Sequence, residues 1–311
     1  TEVTMICSDV PSHVPWGAVS EGWLTMNIYE QLIYTHMGNV NDIRGQIAES
    51  WEHSADYLTW TFRIREGIRF WDGTVCDAAA IAKCWDYYYE ASPASFNNSN
   101  LISWEATGEM ELTLKLSAPC PYFEIALTRL SILSPTALET YGINDNRAAI
   151  GTGPYMIHSY TSGVGFVLKA NPDYWREDTP KLENLIFRPI PESATRVAAI
   201  QTGEVDVVTR LSSEEAQSLL GVPNVTVIKY AQARVYYIAF NNVSTGVGQP
   251  TEDPLVRQAM NYAVDIEAII DSLFNGFAKP AIGFVATGEL GYDNVEPFGY
   301  DPDKARELLA Q

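Results

Sequence analysis

Basic residues are scarce in this chain: 20 Lys and Arg stand against 39 Asp and Glu, a formal net charge of −19 over 311 residues. A field of that sign repels phosphate backbones, which argues against nucleic-acid binding; otherwise the acidity serves solubility. Long apolar runs are also missing. None approaches the roughly 18 residues that a membrane-spanning helix needs. The first residues have neither the basic segment nor the apolar core of a signal peptide, so an exported form is expected to have lost its targeting segment. The four histidines, His13, His36, His53 and His158, are too dispersed for a ligand cluster. A chelated metal stays open, because the chelator would supply most donors. Cys7, Cys76, Cys84 and Cys120 form no C-x-x-C pair and no zinc spacing. Cys76 and Cys84, if on one helix, are roughly 12 Å apart at 1.5 Å per residue, beyond disulfide reach. A bridge would then join one of them to Cys120; buried free thiols fit equally well. No G-x-S-x-G elbow, H-E-x-x-H helix or phosphate loop occurs, which argues against a hydrolase.

What is present is an ordinary globular balance, 46% hydrophobic and 19% charged, in a length that suits about two domains. VTMIC at 3–7 suits a buried strand, and the apolar positions from Thr25 to Tyr34 fall at helical spacing. TWTFRIR alternates, with Trp60, Phe62 and Ile64 on one side, and MELTLKL places Leu112, Leu114 and Leu116 likewise. Asp72-Gly73 marks a turn, and Asp77 caps a helix running to about Glu90.

Further on, VGFVLKA (164–170) and ENLIFRPI (183–190) predict strands. The next helix has Ser193 as its expected cap and Gly203 as its stop. Ser212 with Glu215 forms a capping box. RVYYIAFN (234–241) predicts a buried central strand from its β-branched and aromatic content. Asp253-Pro254 opens a long helical stretch closed by Gly276, and Asp301-Pro302 repeats that start signal.

Five stretches occur in one order: AESWEHSADYLTWTFRIREGIRFWDGT; GTGPY with ANPDYW and GEVDVV; YIAFNN; DPLVRQAMNYAVDIEAII; and YDPDKARELLA. Together they resemble the peptide/nickel-type extracellular solute-binding proteins of ABC importers, family 5. The resemblance implies an α/β, two-lobe periplasmic-binding-protein-like fold with an inserted subdomain in lobe one. Lobe one would comprise 1–37 and 151–241, the inserted subdomain 38–150, and lobe two would start at 242. Family members continue past the YDPDKA helix, so a fragment with an incomplete second lobe and exposed apolar surface there is expected.

The implied function is a non-enzymatic receptor, probing the space outside the cytoplasmic membrane, that binds a peptide-like ligand between the lobes and delivers it to an ABC permease. It would be periplasmic or extracellular, lipoprotein-anchored in a Gram-positive host, monomeric and without a cofactor. A nickel chelate or oligosaccharide is the alternative ligand, and a solute-sensing module of a larger regulator the alternative role. The acidic group that pairs with a peptide's α-amine would lie beyond Gln311. Three segments should face the ligand: the loop Ala18–Trp23 (Val19, Ser20, Glu21, Trp23), the loop Thr209, Arg210, Leu211, and the loop around Ser95–Asn97 with Phe96. Trp23 would stack on the ligand or cover the core edge. Arg210 would pair with a ligand carboxylate or be solvated. Phe96 would be a pocket wall or a loop anchor.

Overall fold

The apolar run at Val3–Cys7 becomes strand β1 (Glu2–Cys7), whose last two residues are fully buried. The computed structural model describes residues 1–8, 22–177, 179–230, 234–241, 247–286, 292, 296 and 298–311. Two compact units divide the chain, Thr1–Arg210 and Leu211–Gln311.

In the first unit, helix α1 (Gly22–Ile28) precedes an antiparallel pair, β2 (Ile33–Thr35) with β3 (Ile43–Gly45). Helical spacing across Thr25–Tyr34 therefore overruns the helix, because Ile33–Thr35 takes its hydrogen bonds from β3 instead. Ile28, Tyr29, Leu32 and Ile33 of that stripe are buried nonetheless. Met26, also in the stripe, is 66% exposed, so the stripe reads both burial and conformation only in part.

A four-stranded antiparallel sheet follows, in the order β4-β5-β7-β6. Its strands are β4 (Ala48–His53), β5 (Thr59–Ile64), β6 (Leu101–Gly108) and β7 (Glu111–Leu116). The period of two in TWTFRIR is realised: Trp60, Phe62 and Ile64 are buried, as are Leu112, Leu114 and Leu116 on β7. Helix α2 (Ala78–Ala91) starts where Asp77 accepts the Ala80 N–H at 2.8 Å, and packs against β6. Three short helices complete this region: α3 (Ala94–Asn97), α4 (Phe123–Leu127) and α5 (Pro135–Tyr141).

From Gly151 the chain builds β8 (Tyr155–Thr161), β9 (Gly165–Ala170), β10 (Asn184–Pro189), helix α6 (Ser193–Thr202) and β11 (Val207–Val208). These join β1 in a five-stranded sheet ordered β11-β1-β10-β9-β8. The strands β8, β9 and β10 form an antiparallel meander, whereas β1 runs parallel to both β10 and β11. Helix α6 is the crossover between them. Gly203 ends it at φ +71°, as predicted. Ser193 does not cap it; the helix begins at Ser193 itself, and the side chain of Glu192 in the cap position makes no capping hydrogen bond.

One contiguous core joins the two sheets, with Phe62, Trp85 and Leu112 in the same cluster as Phe166, Leu168 and Phe187. The GTGPY loop is pressed onto the end of α1. A Cβ at Gly151 would lie 2.1 Å from the Ile28 carbonyl oxygen, and one at Gly153 2.5 Å from it. No side chain fits there, which explains both glycines. All four cysteines are free and buried, so the thiol alternative holds. Burial pushes the Cys84 thiol up to about 12 and that of Cys76 well above its ordinary range.

The second unit is helical: α7 (Ser213–Ser218), α8 (Pro254–Ala263), α9 (Ile266–Phe274) and α10 (Pro302–Leu309). The Ser212–Glu215 capping box and the Asp253-Pro254 and Asp301-Pro302 starts all form. Two expectations are corrected. The long helix to Gly276 is two helices, because the chain turns extended at Val264 and Asp265 caps α9 through the Ala268 N–H. RVYYIAFN is not a buried strand: it joins no sheet among the described residues, and Tyr236 and Ile238 are 79% and 81% exposed. β-propensity is expressed only where a partner strand and a packing face exist. Among the described residues of this unit, Ala259, Ala305 and Leu308 form a buried hydrophobic cluster where α8 packs on α10.

Candidate functional site

Because β1, β10 and β11 are parallel, their carboxyl ends open on one edge of the sheet. Ligands of α/β folds bind outside such ends, where the connecting loops converge. Here the backbone is laced across the edge: the Ile190 N–H donates to Cys7 O (2.8 Å) and the Thr209 N–H to Ile6 O (3.2 Å).

Two arginines finish the edge. Arg210 follows β11 with φ +56°, a left-handed conformation costing a non-glycine residue on the order of 1–2 kcal/mol. Its side chain is exposed, and its Nη1 donates to Ser8 Oγ at the end of β1 (3.1 Å). Arg196, on α6, is the opposite case, only 3% exposed. Its Nη1 donates to the carbonyls of Ile190 and Pro191, both at 2.7 Å, and its Nη2 to that of Arg210 at 3.0 Å. Backbone oxygens thus take up its charge, and no carboxylate pairs with it among the described residues. Two buried polar atoms here, Arg196 Nε and Thr209 Oγ1, have no partner among the described residues. Each such group costs about 1–3 kcal/mol. Strain and unmet hydrogen bonds gathered at one turn are typical of functional positions.

The remaining sequence-predicted residues fall as follows. Val19, Ser20 and Glu21, and the side chain of Trp23, lie outside the described residues, although Trp23 belongs to α1. Thr209 is half-buried beside Arg210, and Leu211, also half-buried, begins the second unit. Phe96 is not a pocket wall. The expected loop is the helical turn α3, and the ring is fully buried against Trp85, Tyr89 and Trp104, with centroids 4.8–6.2 Å apart. Burial leaves it no face for a solute, so it is the anchor of its segment.

Sequence reasoning missed Arg196 and also Glu30. The Glu30 carboxylate is fully buried and accepts four hydrogen bonds. Tyr174 Oη (2.9 Å) and Gln46 Nε2 (3.3 Å) reach Oε1; Thr152 Oγ1 (2.9 Å) and Trp175 Nε1 (2.8 Å) reach Oε2. Burial raises its pKa, against the lowering by Trp175, Tyr174 and Thr152 and by the charge of Arg176. Arg176 and Arg65 sit over the Trp175 ring at 4.6 and 5.4 Å. Glu30 thus ties the GTGPY and NPDYW motifs to the α1–β2 connection, a structural role. A charge inside the apolar run IYEQLIY was the available signal, as was Arg196 at helical spacing from Ala199 and Ile200.

Among the described residues no group of three His, Cys, Asp or Glu could hold a metal, and no helix is long and apolar enough to cross a membrane. The parallel edge, the crossover helix and the antiparallel meander define the mixed α/β fold of two-lobe periplasmic binding proteins, of which this chain covers part. By structure it is similar to the periplasmic binding protein DppA from Helicobacter pylori, in complex with peptide STSA (TM-score 0.81, 26% identity), covering 100% of this chain and 66% of that one. The substrate-binding protein CtaP from Listeria monocytogenes shares the fold (TM-score 0.86, 23% identity), over 100% of this chain and 64% of that one. Residues 42–311 match the bacterial extracellular solute-binding proteins, family 5 Middle, and the chain belongs to that family, one of solute-binding proteins rather than enzymes. The glutathione-binding protein GsiB of Escherichia coli K12 is 32% identical over 276 residues, 86% of this chain. This chain spans about half the length of the curated relatives it matches, 53% in that case.

Proposed function

We propose that this chain is part of a receptor that binds a peptide-like solute and delivers it to an ABC permease. Arg210 carries the reading: an exposed guanidinium in a strained turn, at the carboxyl edge of three parallel strands, in a member of a solute-binding family. A guanidinium fork pairs bidentately with a carboxylate, and glutathione and a tetrapeptide, the ligands named for two relatives, both carry free carboxylates. Thr209 and Leu211 flank Arg210 in the chain, and Val19, Ser20, Glu21 and Trp23 belong to the second solute-facing loop.

In this reading lobe one is 1–37 with 151–241, the inserted subdomain is 38–150, and 242–311 opens lobe two. The lobes close over the ligand about a hinge. The receptor acts as a monomer outside the cytoplasmic membrane, with a lipid anchor in a Gram-positive host.

A thermal-shift screen tests it, with glutathione, di- to hexapeptides, free amino acids and nickel chelates as probes. Ligand at a hundredfold excess over Kd stabilises the native state by about 2.7 kcal/mol. Peptides or glutathione should raise the melting temperature. A response to nickel chelates alone would reassign the ligand class, and no response to any probe would count against the receptor reading.

A further inference from the structure

We propose that Arg196 is a positioning residue: it braces the Thr209–Arg210 turn so that the solute-binding edge is formed before ligand arrives. The proposal rests on the receptor reading for its purpose, but the brace itself is a property of the chain alone.

Three observations carry it. The Arg196 guanidinium is buried, and three backbone carbonyls receive its N–H groups: Ile190 and Pro191 from the β10–α6 connection, and Arg210 from the turn after β11. One planar cation thus clamps the two loops that end β10 and β11, the strands on either side of β1 in one sheet. Arg210 is left-handed without being glycine or asparagine, so its own preference opposes the conformation. A bond to the Arg210 carbonyl is a direct means of holding it there. Arg196 is also an unusual choice for this task. Its Nε is left without a partner among the described residues, and a buried guanidinium that faces only carbonyls among them is a demanding group to place. A purely structural contact between α6 and the sheet needs only the apolar packing already supplied by Ile6, Ala199 and Val205.

Lysine cannot replace it. An ammonium is a compact point charge with no planar fork, so it cannot span carbonyls on two loops in the same way.

The test uses the 311-residue chain, with Arg196→Lys and Arg196→Ala, and Ala199→Gly as a control that loosens α6 without touching the turn. Hydrogen exchange in the ligand-free protein reads the brace directly. Both arginine variants should exchange at least about tenfold faster across 206–212, a change equivalent to about 1.4 kcal/mol of local opening. Guanidinium, but not methylammonium, should restore protection in Arg196→Ala. Unchanged exchange in the folded variants would overturn the proposal, as would rescue by both cations alike. Calorimetry with the tetrapeptide STSA and with glutathione adds the functional arm. If the native sequence binds either, Arg196→Lys should weaken binding at least tenfold more than Ala199→Gly does; an equal loss overturns the positioning role. If it binds neither, the receptor reading is in difficulty while the exchange data still decide the brace.

Discussion

The two units begin their helices with the same local signals and differ in what those helices rest on. In Thr1–Arg210, Phe62 on β5 and Leu112 on β7 are opposed across the ladder with no exposed surface, inside a core shared by two sheets. In Leu211–Gln311 the capping box at Ser212, the Asp253 cap and the Asp301 cap are all formed. Yet among its described residues the buried cluster is two alanines and one leucine, with Leu219 buried apart from it, while Ile228, Tyr236, Leu273 and Phe284 stand exposed. Capping is a contract between residues two or three apart. Burial needs a surface from elsewhere. The comparison shows that one can be complete where the other is slight.

Truncating side chains should separate the units most. Phe62→Ala removes a fully buried ring and should cost about 4 kcal/mol, whereas Tyr236→Ala should stay within about 0.5 kcal/mol. Urea unfolding followed by tryptophan fluorescence checks the first, since all eight tryptophans precede residue 176. A small effect of Phe62→Ala would break the contrast.

Glycine substitutions sharpen it. Gly151→Ala drives a methyl into the Ile28 carbonyl and should cost about 3 kcal/mol. Gly276→Ala meets no atom within 4 Å, and only its φ of +71° opposes the change, for about 1 kcal/mol. Equal melting-temperature shifts would mean that the GTGPY loop is not held as tightly as its contacts require.

A pH effect should come next. Burial lifts the Glu30 pKa above its ordinary 4.5, so folding favours the protonated form. The stability it contributes is therefore full below about pH 4.5 and is lost as pH rises through the raised value. In urea titrations, the stability of the native sequence minus that of Glu30→Gln should fall as pH increases from 4.5. A difference that grows with pH would mean that the four donors outweigh burial. The smallest effect belongs to the caps: Asp253→Ala should lose about 1 kcal/mol of local helix stability, seen as faster amide exchange at the start of α8.

The same contrast explains what was legible in the chain. Alternation in TWTFRIR, the Asp77 cap, the Gly203 stop and the Asp-Pro starts are local, and each appears where the residues place it. RVYYIAFN was misread because strand formation depends on a partner that its composition cannot supply. At the edge, the position of Arg210 after the GEVDVV strand could be read, but not its left-handed backbone or its bond to Ser8, 202 residues away. Phe96 looked like a loop residue until Trp104 and Trp85 closed over it. Glu30 stayed hidden because three of its four donors lie more than 120 residues further on.

The most direct test of Arg210 as the carboxylate contact is calorimetric. The 311-residue chain would be titrated with the tetrapeptide STSA and with its C-terminal amide, in the native sequence and in Arg210→Ala. Hydrogen bonds to a charged group contribute about 1.5–3 kcal/mol, so the acid should bind at least about tenfold more tightly than the amide in the native sequence. Arg210→Ala should erase that preference. Native binding that ignores the carboxylate, or a preference that survives the substitution, would contradict the assignment of the solute-binding edge to Arg210.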